Sequence, residues 1–266
     1  MGDDTTTTAA DSSEEMELLS AWYCPYAQRA WIAMEIKCPG KFKVTEALKI
    51  TSPDGVYSKD SLSRIPLLKE SNPLGQVPVI IDRRSDKKPM CVCDSLICVE
   101  YIDEVYDNDD NNGINSKKLL PGDPAKRADA RMWSNRLNDD IATTFYVLLL
   151  KQDKEEQEKA ADKMLSAILD FCQRCKGPFF YGDEMSIVDI TIAPWIVGSR
   201  MEVVLKHFRN FEVPATAEYA KYFEWRDSVL RHPAFVATVA TDFEAMQRAY
   251  RRYADGTALI VKSKET

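Results

Sequence analysis

Hydrophobic and polar positions follow two rhythms along this chain. The apolar run Met16-Glu-Leu-Leu-Ser-Ala-Trp22 reads as a strand. A helical stretch follows from Pro25 to about Lys37, with Ala30, Trp31, Ala33 and Met34 on its apolar side. Cys38-Pro39-Gly40 closes that helix, and residues 41–50 resume a strand-like pattern through Phe42, Val44 and Ala47. Residues 51–71 are polar and predict a loop with a short helix. The runs 77–81 and 89–93 predict a hairpin around residues 82–88. Leu96, Val99, Tyr101, Ile102 and Val105 then return to helical spacing over 95–106. A β-α-β order followed by α-β-β-α implies a mixed sheet flanked by helices.

Beyond residue 122 the strand signals almost vanish. Residues 123–152, 154–176, 186–206, 215–231 and 234–253 are all helical in pattern. The chain therefore divides into a disordered tail (1–15), an α+β domain (16–106), a linker rich in turn formers (107–122), an all-helical domain (123–254) and a flexible tail (255–266). Within the helical part, Ser186-Ile-Val-Asp189 has the form of a capping box, with Met185 and Ile190 placed as its hydrophobic staple. That motif sets a helix entry and carries no chemistry.

Candidate chemistry concentrates at Tyr23-Cys24-Pro25-Tyr26, where the first strand gives way to the first helix. Pro25 suits the first helical position, where its missing N–H costs nothing. Cys24 then sits at a helix N-terminus, whose unpaired N–H groups and dipole favour an anion. A thiol so placed is expected to ionise more readily and to act as a nucleophile. A dithiol redox centre would carry a second cysteine at position 27; the chain has Ala27, so the chemistry is monothiol and takes its second sulfur from a small molecule. The other cysteines are expected to be mostly buried hydrophobes. Cys91 and Cys93 share a strand face, and Cys172 and Cys175 have the spacing of a redox pair. With only two histidines in the chain, no metal site is expected.

Composition narrows the class. The chain has 266 residues, a net charge of −7 and a hydrophobic fraction of 45%, which suits two globular domains and argues against nucleic acid as a partner. No apolar run is long enough to span a membrane. The first residues lack the basic and apolar regions of a signal peptide, and seven cysteines without framework spacing fit a reducing compartment. The expected location is the cytoplasm.

Four segments in order carry a family resemblance: Cys24-Pro-Tyr-Ala-Gln-Arg-Ala-Trp-Ile32; Asn72-Pro-Leu-Gly-Gln-Val-Pro78; Asp94-Ser95 with Glu100-Tyr-Ile-Asp103; and Gly177-Pro-Phe-Phe-Tyr-Gly182 with Ser186–Asp189 and Ala193-Pro-Trp195. The chain resembles the cytosolic glutathione transferases, most of all the omega class with its fungal omega-like and plant lambda-like relatives. The match spans roughly residues 17–253.

That resemblance implies a thioredoxin-like amino-terminal domain that binds glutathione, followed by an all-α helical bundle. It implies Cys24 as catalytic nucleophile and glutathione as co-substrate, contacted by Pro25, Tyr26, Arg64, Val77, Pro78, Asp94 and Ser95. Val77-Pro78 matches a cis-proline turn whose Val77 backbone pairs with the cysteinyl part of glutathione. Ser95 and the free N–H groups beside it match the site for the γ-glutamyl carboxylate, and Asp94 the site for its ammonium. Arg64, with Lys59 as rival, matches the site for the glycyl carboxylate. Tyr26 reads as packing, and Arg29 as either a local positive potential or a surface ion pair. Trp133, Phe145 and Tyr146 are candidate walls of an acceptor site between the domains. The implied activity is glutathione-dependent thiol transfer to a small electrophile, disulfide or glutathionylated substrate, of the deglutathionylation and dehydroascorbate-reduction type. A conjugating transferase and a chloride-channel-like or purely ligand-binding protein on the same fold are the alternatives. A homodimer is a further possibility.

Overall fold

The computed structural model describes residues 15–58, 61–85, 88–107, 118–196, 198 and 200–258. The expected amino-terminal tail up to residue 14, Lys59, linker residues 108–117 and the end from residue 259 lie outside the described residues.

The first half builds a four-stranded mixed sheet in the order β2-β1-β5-β6. Strand β1 (Met16–Ser20) runs parallel to β2 (Lys43–Glu46) and antiparallel to β5 (Val79–Asp82), which pairs in turn with β6 (Met90–Cys93). All five residues of β1 are buried, which explains its near-continuous apolar run rather than a clean alternation. Helix α1 (Pro25–Lys37) packs on α3 (Ser95–Val105) and reaches across to α7 (Ile187–Ile196) of the second half.

The single strand expected over 41–50 is two strands in different sheets. Strand β3 (Leu48–Ile50) pairs with β4 (Leu62–Arg64) as a separate ribbon, ahead of the short helix α2 (Pro66–Ser71). Ala47 is the hinge: its N–H donates to Ser20 O and its C=O accepts from Ile65 N, so the chain leaves one sheet and enters the other. Strands of three residues are too short for a periodic signal, which is why β4 was not expected.

The second half is helical throughout. Helix α4 (Pro124–Leu137), a π-helical stretch (Asn138–Thr143) and α5 (Thr144–Leu150) form one run, followed by α6 (Lys154–Arg174). The helix expected over 186–206 stops at Ile196, and the chain continues as a π-helical stretch (Arg200–Leu205) and α8 (Lys206–Arg209). After α9 (Ala220–Arg231), the helix expected over 234–253 is also divided, into α10 (Pro233–Val236) and α11 (Phe243–Ala254). The break has a local cause: Asp242 accepts from Ala245 N at 2.9 Å and starts α11 afresh.

Two buried carboxylates pin this architecture. Asp103 pairs with Lys37 at 2.9 Å and accepts from the N–H groups of Leu119 and Leu120, tying the end of the linker to α1 and α3. Asp189 accepts from the N–H of Ser186, the return bond of a capping box, and also from the Ser186 hydroxyl. It also accepts from Phe180 N and Trp225 Nε1, so the box is the hub of the helical core.

Candidate functional site

Cys24 is the N-cap of α1, with an extended backbone and Pro25 in the first turn. It is half-buried and lines a cleft of about 1820 Å³ between the two halves. The thiol is not shifted as the sequence predicts. Burial pushes it up, opposed by the N–H groups of Ala27 and Tyr26 and by the cations of Arg200 and Arg29, and burial wins. The helix N-terminus is present, but the loss of water around the sulfur outweighs it.

The same cleft collects the residues of the other motifs. The Val77–Pro78 peptide is cis, and neither the N–H nor the C=O of Val77 makes a hydrogen bond among the described residues. An extended ligand can pair with both, as an added strand does. Asn72 shapes the approach: its Oδ1 accepts from Leu74 N and its Nδ2 donates to Gln76 O.

Asp94 holds a left-handed backbone (φ +74°) and caps α3, Oδ1 accepting from Leu96 N and Ile97 N. Those two N–H groups are therefore engaged, and the Asp94 Oδ2 is the atom left for a ligand cation. Ser95 Oγ accepts from Arg29 Nη1 at 3.1 Å, which leaves its proton to donate.

Arg64 lines the cleft, and its Nε donates to Gly75 O at 2.9 Å. Its two terminal nitrogens make no hydrogen bond among the described residues. Gly75 has φ +60°, and a Cβ there would stand 2.8 Å from Arg64 Cδ, so this glycine makes room for the arginine.

The acceptor candidates separate. Tyr146 lines the cleft. Trp133 and Phe145 do not: both are core residues, Trp133 packed on Phe180 between the Arg136 and Arg174 guanidiniums, and Phe145 behind Tyr146 and Tyr250. Aromatic residues at helical spacing fill a core more often than they face a ligand, and periodicity alone does not tell the two apart.

The sequence also under-read several residues. Arg29 is no surface cation; it is 1% exposed. Its guanidinium lies 4.3 Å from the Trp195 ring and donates to Thr191 O, Asn138 Oδ1 and Ser95 Oγ, joining α1 to α3, α7 and the first π-helical stretch. Tyr57, Tyr250 and Tyr253 join Tyr23 and Tyr146 as phenols on the cleft wall. Tyr250 and Tyr253 stand three apart on α11, a spacing that places both on one face. The expected tail begins as part of the wall, since Thr257 and Ala258 line the cleft and their N–H groups donate to Arg252 O.

The remaining cysteines of the described structure are free thiols. Burial pushes Cys38 and Cys172 up to about 12 and raises Cys93, Cys98 and Cys175, and none of these lines the cleft. Among the described residues no cluster of three or more His, Cys, Asp or Glu side chains is arranged to hold a metal, and no helix is long and apolar enough to cross a membrane.

The chain is similar to known proteins. Residues 23–105 match the family described as glutathione S-transferase, N-terminal domain. Glutathione S-transferase U15 of Arabidopsis thaliana is 28% identical over 255 residues, covering 93% of this chain and 97% of that protein. Glutathione S-transferase 3 of Glycine max is 31% identical over 192 residues, covering 69% of this chain and 74% of that protein. Among solved structures, glutathione transferase Omega 3C from Trametes versicolor superposes with a TM-score of 0.72 at 25% identity, over 90% of each chain. The tau-class MiGSTU from mango superposes with a TM-score of 0.69 at 24% identity, over 94% of this chain and 100% of that one. A thioredoxin-like sheet domain followed by a helical domain is the fold that they have in common with this chain.

Proposed function

We propose, for a chain that belongs to the glutathione S-transferase family, an omega-like activity: glutathione-dependent thiol transfer through Cys24. The observation that carries this reading is the position of a lone cysteine at the N-cap of α1, opening onto the cleft that also holds the cis Val77–Pro78 turn and the Asp94–Ser95 helix start.

Glutathione lies extended along the Val77 backbone. Its γ-glutamyl carboxylate accepts a hydrogen bond from the Ser95 hydroxyl and its ammonium faces Asp94 Oδ2, while Arg64 offers its terminal nitrogens to the glycyl carboxylate. Pro25 and Tyr26 floor the site beside the sulfur. In the first step the Cys24 thiolate attacks the glutathionyl sulfur of a mixed disulfide. The Cys24–S–S–glutathione bond forms, the original disulfide breaks, and the acceptor leaves as a thiolate that takes up a proton. A second glutathione thiolate then attacks the bound glutathionyl sulfur, which gives oxidised glutathione and returns Cys24. The balance is one mixed disulfide and one glutathione converted to one thiol and one oxidised glutathione. The acceptor lies against Tyr146, Tyr250 and Tyr253. Free cysteines throughout fit a cytosolic setting.

A second reading has its own support. The plant relatives named above favour conjugation of glutathione to a small electrophile, with Cys24 incidental. Cys24→Ala separates the two. Steady-state transfer to a small mixed disulfide should fall by about 10²-fold or more, the scale on which loss of a central catalytic group is felt. An unchanged transfer rate overturns the thiol-transferase reading, and conjugation of an aryl halide that survives the substitution supports the conjugating one.

A further inference from the structure

The second buried arginine of the cleft wall is unaccounted for by any role above. Arg200 opens the π-helical stretch before α8 and is 1% exposed. It donates through Nη1 to Gln28 Oε1 at 2.7 Å and Pro194 O at 2.8 Å, through Nη2 to Tyr23 O at 3.1 Å, and through Nε to the Tyr250 hydroxyl at 3.2 Å. The Tyr250 hydroxyl in turn donates to the same Tyr23 carbonyl at 3.2 Å. We propose that Arg200, braced by Tyr250, is the positioning residue for the Cys24 thiolate, holding the Tyr23 carbonyl on one side of the thiol and the Gln28 side chain on the other, and supplying the positive charge that the thiolate needs. The proposal rests on the reading of Cys24 as the reacting thiol.

Three observations converge on it. Tyr23 O is the carbonyl of the peptide that leads into Cys24, and Gln28 lies in the turn that follows, so one guanidinium fixes both flanks of the thiol. Among the described residues no carboxylate lies within ion-pair distance of Arg200, although burying a cation without a counter-charge is costly. A thiolate formed at Cys24 supplies the counter-charge that Arg200 lacks. Finally, a guanidinium has five N–H donors and the contacts above use four of them. The one left is on Nη2, the nitrogen already held at the entrance to Cys24.

The surrounding groups leave few rivals for this role. Tyr23, Tyr26, Tyr146, Tyr250 and Tyr253 all face the thiol, and burial pushes each of them up, so they are neutral at physiological pH. Arg200 and Arg29 are cations that favour the Cys24 thiolate, Arg200 ahead of Arg29. Arg29 spends its donors on α3, α7 and the first π-helical stretch, whereas two of Arg200's four hydrogen bonds go to Tyr23 and Gln28, on either side of Cys24. A π-helical turn is an irregularity that often marks a functional site; here it carries the arginine.

The test is the pH profile of Cys24 alkylation by iodoacetamide, read peptide by peptide by mass spectrometry, in wild type, Arg200→Met, Arg200→Lys and Tyr250→Phe. Arg200→Met should move the midpoint up by about one pH unit, equal to about tenfold slower labelling at neutral pH. Arg200→Lys keeps the charge and should stay near the wild-type midpoint. A merely structural role would not move the profile this way, because loosening the fold speeds labelling. Buried Cys38 and Cys98 report on that directly. If their rapid labelling shows Arg200→Met to be unfolded, Tyr250→Phe, which removes one oxygen, decides: a midpoint raised by about half a unit supports the proposal. An Arg200→Met profile that overlays wild type in the folded protein, or a Tyr250→Phe overlay where Met unfolds, overturns it. The readout needs no turnover. Transfer that survives Cys24→Ala therefore defeats the proposed function, while an unmoved alkylation profile defeats only the role of Arg200.

Discussion

Arg29 Nη1 donates to Ser95 Oγ at 3.1 Å, so helix α1, capped by Cys24, and the Asp94–Ser95 start of α3 are held by one buried side chain. The bond orients the Ser95 hydroxyl, leaving its proton to point to a ligand.

Arg29→Met should therefore be felt in both binding and stability. It strands Thr191 O, Ser95 Oγ and Asn138 Oδ1, at a cost of about 1–3 kcal/mol. With Ser95 unoriented, KM for glutathione should rise about tenfold, equal to about 1.4 kcal/mol. Steady-state kinetics with glutathione as the varied substrate check this; an unchanged KM would separate Arg29 from the site.

The pH dependence follows from the direction in which Cys24 is shifted. Burial holds the thiol above its ordinary value, so the thiolate is the minor form at neutrality and its fraction grows tenfold per pH unit until that raised value is reached. The rate of Cys24 glutathionylation by oxidised glutathione, measured by stopped quench and mass, should climb steadily with no plateau below about pH 8.5. A plateau already reached near pH 7 would mean that the helix N-terminus and the two arginines outweigh burial.

Gly75→Ala tests the seat of Arg64. The new methyl group meets Arg64 Cδ at 2.8 Å, and the left-handed backbone costs about 1–2 kcal/mol for a residue with a Cβ. Displacement of Arg64 should raise the Kd for glutathione, read by calorimetry, while truncation of the glycyl residue from the ligand should cost the variant less than the wild type.

Asp189→Ala should be a stability variant without a site phenotype. The loss leaves Phe180 N, Ser186 N and Trp225 Nε1 unpaired in the core. The cost is about 3 kcal/mol or more, which lowers Tm by roughly 6–12 °C. Thermal unfolding followed by circular dichroism measures it, and a Tm unchanged from wild type would contradict the role of Asp189 as the hub of the helical core.

What the sequence made legible was local. The strand-Cys-Pro-helix junction, the hairpin and the Ser186–Asp189 contact each depend on a few neighbouring residues and stand in the structure as expected, while the cis Val77–Pro78 peptide stands as the family resemblance implied. What it hid was long-range. Arg29 meets Asn138 and Thr191, and Arg200 meets Tyr23 and Gln28, across separations of more than a hundred residues, where spacing carries no signal. From sequence Arg29 reads as either a local positive potential or a surface ion pair, and nothing local singles out Arg200. The downward shift expected of Cys24 failed for a related reason. A helix N-terminus can be read from Pro25, whereas the burial that opposes it comes from helices near the other end of the chain.

The central claim, that glutathione is the second sulfur for Cys24, has a direct test. Wild type and Cys24→Ser are incubated with oxidised glutathione and weighed as whole proteins. The account predicts one glutathione adduct on wild type, removed by added reduced glutathione, and none on Cys24→Ser. An adduct that persists on Cys24→Ser, or a wild type that takes up none, would contradict it.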